Sequence, residues 1–99
     1  MDTPKPTTVV AAAWFSREDY PRILEIADDA MPPTFDEFET RMTHTIEGME
    51  ARGIVCRKVL VDPDELLAFA RASGAKIDSK TRSQFAVFLL MQENNRPNR

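Results

Sequence analysis

Residues 51–67, Ala-Arg-Gly-Ile-Val-Cys-Arg-Lys-Val-Leu-Val-Asp-Pro-Asp-Glu-Leu-Leu, mark two helix boundaries within seventeen positions. Gly53 can adopt the left-handed backbone that ends a helix. Asp62-Pro63-Asp64-Glu65 begins another, with an N-cap, a proline at the first helical position and an acid three residues after the cap. Between these signals Ile54–Val61 predicts a strand. Ile54, Cys56, Lys58 and Leu60 alternate with Val55, Arg57, Val59 and Val61, so each face carries one central cation. A strand buried on both faces would rarely hold Arg and Lys side by side. One edge or face of this sheet is therefore expected to stay open to water or to another chain.

The rest of the chain is placed around this helix–strand–helix unit. Residues 1–8 contain two prolines and read as a flexible lead. Val9–Phe15 is apolar throughout and too short for a globular helix, so it is read as the first strand. Its three alanines favour helices but would let a helix approach closely. Ser16 with Asp19 resembles a capping box, and Pro21 must lie in a first turn, with Asp19 as an alternative start. Tyr20, Ile23, Leu24 and Ala27 then form a helical stripe that must end before Pro32-Pro33. Thr34-Phe35-Asp36-Glu37 is a complete capping box. Phe35, Phe38, Met42, Ile46 and Met49 follow it at helical spacing, and Gly48 is read as a site of close packing. A third helix runs from Asp62 to about Ser73, with Leu66, Phe69, Ala70 and Ser73 inward and Gly74 as its stop. Asp78 caps a fourth that continues to about Glu93, with Thr81, Phe85, Phe88, Leu89 and Gln92 inward. Residues 94–99 read as a disordered tail.

Ninety-nine residues make one domain, 9–93, with enough chain for a core. Residues 1–65 hold 7 Lys/Arg and 14 Asp/Glu, whereas residues 66–99 hold 6 and 2. The acidic and basic halves can complement each other within one molecule or between two. One cysteine cannot form an intrachain disulfide, which fits a reducing compartment. Val9–Phe15 is too short for the apolar core of a signal peptide, and no apolar run approaches a membrane span. A cytoplasmic protein is expected.

Ala86–Met91 is apolar all round, and Val87, Leu90 and Met91 fall opposite Phe85, Phe88 and Leu89. A helix apolar on every side is buried on every side, so these three residues are candidates for a homodimer or partner interface. Lys76, Lys80 and Arg82 at the start of the fourth helix are candidates for a basic surface of the helix-turn-helix kind. Lys80, however, occupies a place where that motif needs an apolar side chain, and the overall balance is acidic. Trp14, Tyr20, Cys56 and Arg57 are the candidates for a ligand pocket or small active site. His44 projects away from the apolar stripe of its helix and reads as a surface residue. One His and one Cys are too few for the common zinc sites, and no phosphate-binding glycine motif is present, so no metal or cofactor is expected.

The pattern Trp14-Phe15, Glu18-Asp19-Tyr20, Thr34-Phe35-Asp36-Glu37 and Val61-Asp62-Pro63-Asp64 resembles a group of short uncharacterised bacterial proteins. The resemblance implies a bacterial, cytoplasmic protein and brings no activity. The predicted fold is α+β: a two-stranded antiparallel sheet with four helices in the order βααβαα, its sheet or terminal helix completed by a dimer partner. A parallel pair joined by a right-handed crossover is the alternative. Three functional classes follow: a non-catalytic homodimeric interaction module, a nucleic-acid-binding regulator, and a small-molecule-binding domain or small enzyme.

Overall fold

The computed structural model describes residues 8–94. Six elements follow in the order read from the sequence: β1 (Val9–Trp14), α1 (Tyr20–Ile26), α2 (Phe35–Glu50), β2 (Val55–Leu60), α3 (Pro63–Ser73) and α4 (Ser79–Asn94). The lead and tail read from the sequence lie outside the described residues, apart from Thr8 and the backbone of Asn94.

The boundary chemistry is visible at atomic level. Thr34 accepts a hydrogen bond from the Glu37 amide, and Asp62 accepts from the amides of Asp64 and Glu65. Asp78 accepts from the Thr81 amide, which holds the start of α4. Gly53 and Gly74 take φ values of 83° and 68°, the left-handed conformation that closes α2 and α3. Because Asp62 satisfies two otherwise orphaned amides at once, Asp62→Ala is expected to cost about 1–2 kcal/mol in urea unfolding. Gly48, by contrast, marks no close packing: a Cβ there would meet nothing within 4 Å.

The two strands are parallel, which corrects the antiparallel expectation. Val9 pairs with Val55 and Trp14 with Leu60 in continuous register. The antiparallel reading counted α1 as one full crossing of the sheet and α2 as a second. At about 1.5 Å per residue, the 7 residues of α1 advance the chain too little for a crossing, whereas the 16 residues of α2 span the strand length. Only α2 carries the chain back to its starting end, so β2 sets out in the same direction as β1. The end of α1 also comes earlier than the prolines required. Asp28 leaves the helical path to exchange two bonds with Ile77, accepting from its amide through Oδ2 at 2.7 Å and donating its own N–H to the Ile77 carbonyl at 2.8 Å.

Helices cover both faces of the sheet. Ala11 and Ala12 point in opposite directions along β1, yet both are buried. On the face of Trp14 and Cys56, α2 brings Phe38 to 5.3 Å from the Trp14 ring centroid and Met49 Sδ to 3.9 Å from Cys56 Sγ. On the other face α4 contacts both strands, with Ala86 fully buried. The alanines thus have the use expected of them: a helix sits directly on the strand. Phe15, Tyr20, Ile23, Phe38, Val61, Leu66, Ala70, Ile77 and Phe85 form the core at the carboxyl end of the sheet.

Candidate functional site at the edges of the sheet

A two-stranded sheet has no interior strand, so each strand presents one unpaired edge. Val55 and Val61 donate to the carbonyls of Thr8 and Trp14. By strand geometry residues 55, 57, 59 and 61 therefore address β1, and Cys56, Lys58 and Leu60 turn their amides and carbonyls outward. Beyond this edge lies an open cleft of about 910 Å3 between β2 and the C-terminal half of α4, lined by Arg57 through Leu60, Glu65 and Phe88 through Glu93. Its apolar side chains are unusually bare: Leu60 is 65% exposed, Met91 58% and Phe88 44%. Both signs of charge line it, yet Arg57, Lys58, Glu65 and Glu93 form no ion pair among the described residues. Lys58 instead lays its ammonium over the Trp14 ring, 4.2 Å from the centroid, which draws it back from the edge.

The outer edge of β1 is different. It forms one side of a groove of about 330 Å3, bounded by α2, by the loop at Ala30–Pro32 and by the first turn of α4. This loop is fixed in place. Arg82 donates two bonds to Asp29, both 2.8 Å, and its side chain is only 11% exposed. The paired guanidinium holds the Asp29 carboxyl below its ordinary pKa, chiefly through the hydrogen bond. Tyr20 closes the same region by donating from its hydroxyl to the Pro32 carbonyl at 2.6 Å. Burial raises the Tyr20 pKa, while the charges of Arg82 and Arg41 oppose that shift.

The residues singled out from the sequence are distributed as follows. Val87 and Met91 are exposed and Leu90 is half-buried. Phe88, read as inward, is exposed beside them, because the buried side of α4 is Thr81, Arg82, Phe85 and Ala86. Lys76 and Lys80 are exposed, but Arg82 is buried and paired with Asp29, so it is not available to a nucleic acid. Trp14, Tyr20, Cys56 and Arg57 share no pocket. Trp14 and Tyr20 pack on Phe38 near the start of α2, whereas Cys56 and Arg57 lie further along α2, near Thr43 and Glu47. His44 is exposed. Leu60 and Arg41 were missed. Leu60 shares a strand face with Lys58, a signal that its end of the strand is wet; Arg41 carries no local signal. Among the described residues no acidic, His or Cys cluster could hold a metal, and no helix is long and apolar enough to cross a membrane.

Comparison with protein-family models, with characterised proteins and with solved structures finds no match to this chain.

Proposed function

We propose that this protein is a non-catalytic, cytoplasmic interaction module that self-associates through the outer edge of β2 and the apolar overhang of α4. The observation that carries the reading is the exposure of Leu60, Phe88 and Met91 around an edge whose hydrogen-bonding groups are unpaired among the described residues. An open, apolar edge next to an apolar helix face is a template for another strand. A two-stranded sheet is also marginal on its own, and a second copy would make it four-stranded.

Charge selects the second copy and its register. Across a two-fold axis the strands pair antiparallel through the outward amides of Cys56, Lys58 and Leu60, and three of the possible registers centre on residues 57, 58 and 59 at mid-strand. One sets Lys58 against its symmetry mate, and a second sets Arg57 against its own; like charges directly opposite are destabilising. The third places Val59 on the axis and Lys58 opposite Leu60. It also brings Arg57 alongside the Val61–Asp62 end of the other strand, near Asp62 and Glu65. The register that avoids repulsion is thus the one that supplies each cation with acids.

Sedimentation at about 100 μM is expected to give twice the 11.2 kDa chain mass, and Leu60→Asp is expected to return the protein to monomer without unfolding it. A wild-type protein that stays monomeric throughout this range sinks the proposal. The register has its own test. Opposed residues in a non-hydrogen-bonded antiparallel pair have Cα atoms about 4.5 Å apart, within disulfide range. Cys56→Ser combined with Val59→Cys should cross-link under mild oxidation, and Cys56→Ser with Arg57→Cys should not. The reverse pattern rejects the Val59-centred register.

A further inference from the structure

The groove at the opposite edge of the sheet has different chemistry. Its walls are largely apolar, with Val10–Ala13, Met31, Phe38, Met42 and Met49 among them. Thr45, Ser79 and Ser83 bring hydroxyls to this lining, and two further kinds of polar group interrupt it. The first is backbone. Since residues 8 and 14 direct their carbonyls to β2, the odd-numbered residues of β1 turn the other way, so Ala11 and Ala13 present N–H and C=O groups to the groove. Among the described residues neither makes a backbone bond outside the strand ladder, although Ala11 is buried and Ala13 half-buried. Buried backbone polar groups are normally paired, which makes this edge a place for a ligand's polar atoms. The second is Arg41, one turn of α2 beyond Phe38. It lines the groove and forms no ion pair among the described residues. Arg82 also lines it, but Asp29 already neutralises that charge.

We propose that this groove binds a small monoanionic carboxylate with an apolar body, its carboxylate held by Arg41 and the Ala11/Ala13 edge and its body on the methionine and phenylalanine side chains. The size supports that class: at roughly 30 Å3 per water-sized unit, 330 Å3 holds about ten non-hydrogen atoms. One uncompensated guanidinium matches a planar carboxylate, which accepts two parallel N–H bonds. The alanines at 11 and 13 keep the strand edge low, and the bonds from Asp28 and Asp29 to Ile77 and Arg82 hold the facing loop in place. The site is therefore formed before the ligand arrives, and it is independent of the β2 edge.

Octanoate is the probe, with 1-octanol as its neutral counterpart and acetate as the charge without the tail. Titration of the full chain is followed by amide chemical shifts. Octanoate is expected to move the Ala11, Ala13 and Arg41 amides with sub-millimolar affinity; 1-octanol and acetate should each bind at least tenfold more weakly. Arg41→Gln, at an exposed position, should leave the folded spectrum intact and weaken octanoate at least tenfold. Equal binding of octanoate and 1-octanol, or affinity unchanged by Arg41→Gln, overturns the carboxylate assignment. So does the absence of any shift at 10 mM octanoate. Tighter binding of a blocked, uncharged pentapeptide at the Ala11/Ala13 edge would make the groove a strand-recognition site and also overturn it.

Discussion

Phe38→Ala is expected to leave the native state only marginally stable at 25 °C. Phe38 is buried at 4% exposure and is the ring on which four other aromatics converge: Tyr20 at 5.1 Å, Trp14 at 5.3 Å, Phe15 at 5.5 Å and Phe35 at 6.1 Å between centroids. Those partners come from β1 and the residue that follows it, from α1 and from α2 itself, so this one side chain ties the first strand to both helices that follow it. Truncating a buried Phe costs about 3–5 kcal/mol through lost transfer energy and the cavity left behind. Small domains have about 5–15 kcal/mol in total, and a chain of this length lies toward the lower end. Urea unfolding should therefore show most of the stability gone, with the near-ultraviolet signal of Trp14 and Tyr20 lost first. Phe35→Ala, at a half-buried position, should cost visibly less. A shift below about 1 kcal/mol for Phe38→Ala would show that the surrounding rings close the gap and that Phe38 is not the hub.

Much of this arrangement is legible in the sequence itself. Gly53, Gly74, Asp62-Pro63 and Asp78 act through their immediate neighbours, so the sequence places those helix ends correctly. Arg57 and Lys58 announced an open β2 because charged side chains at mid-strand have nowhere else to go. What could not be read depends on distant partners. The chain leaves α1 at Ala27 and Asp28 bonds to Ile77, 49 positions away, a partner that no local signal announces. Strand direction then depended on how many helices cross the sheet, and overestimating α1 inverted it. Arg82 looked like a surface cation because its position in the helix says nothing of Asp29, 53 residues earlier. Around α4 the apolar run from Ala86 to Met91 has no polar side to exclude, so periodicity could not tell whether Phe88 or Ala86 faced the sheet. The open edge of β1 belongs to tertiary structure entirely.

Asp29→Ala is expected to destabilise the protein by roughly 3 kcal/mol, because it leaves the Arg82 guanidinium buried without a counter-charge. The asymmetry of the pair makes this sharper. The Arg82 side chain is 11% exposed and Asp29 31%. Water can compensate an orphaned Asp29 far better than an orphaned Arg82, so Arg82→Met should cost less than Asp29→Ala. Equal costs would mean that the loop, not the charge, dominates. Acid gives a second measurement of the same contact. The folded Asp29 pKa lies below its ordinary value, with the Arg82 hydrogen bond as the main cause, so the folded state prefers the ionised form. A depressed carboxylate contributes stability that is complete above the unfolded pKa of about 4 and is lost as pH falls through the lower folded value. Asp78, depressed mainly by the Thr81 amide, acts in the same direction and window. Wild-type stability should therefore fall below about pH 4. Asp29→Asn, which cannot ionise, should start lower at neutral pH and show a flatter acid limb, retaining the part that belongs to Asp78. Parallel acid limbs for the wild type and Asp29→Asn would show that the Asp29–Arg82 contact seen here carries no net electrostatic stability.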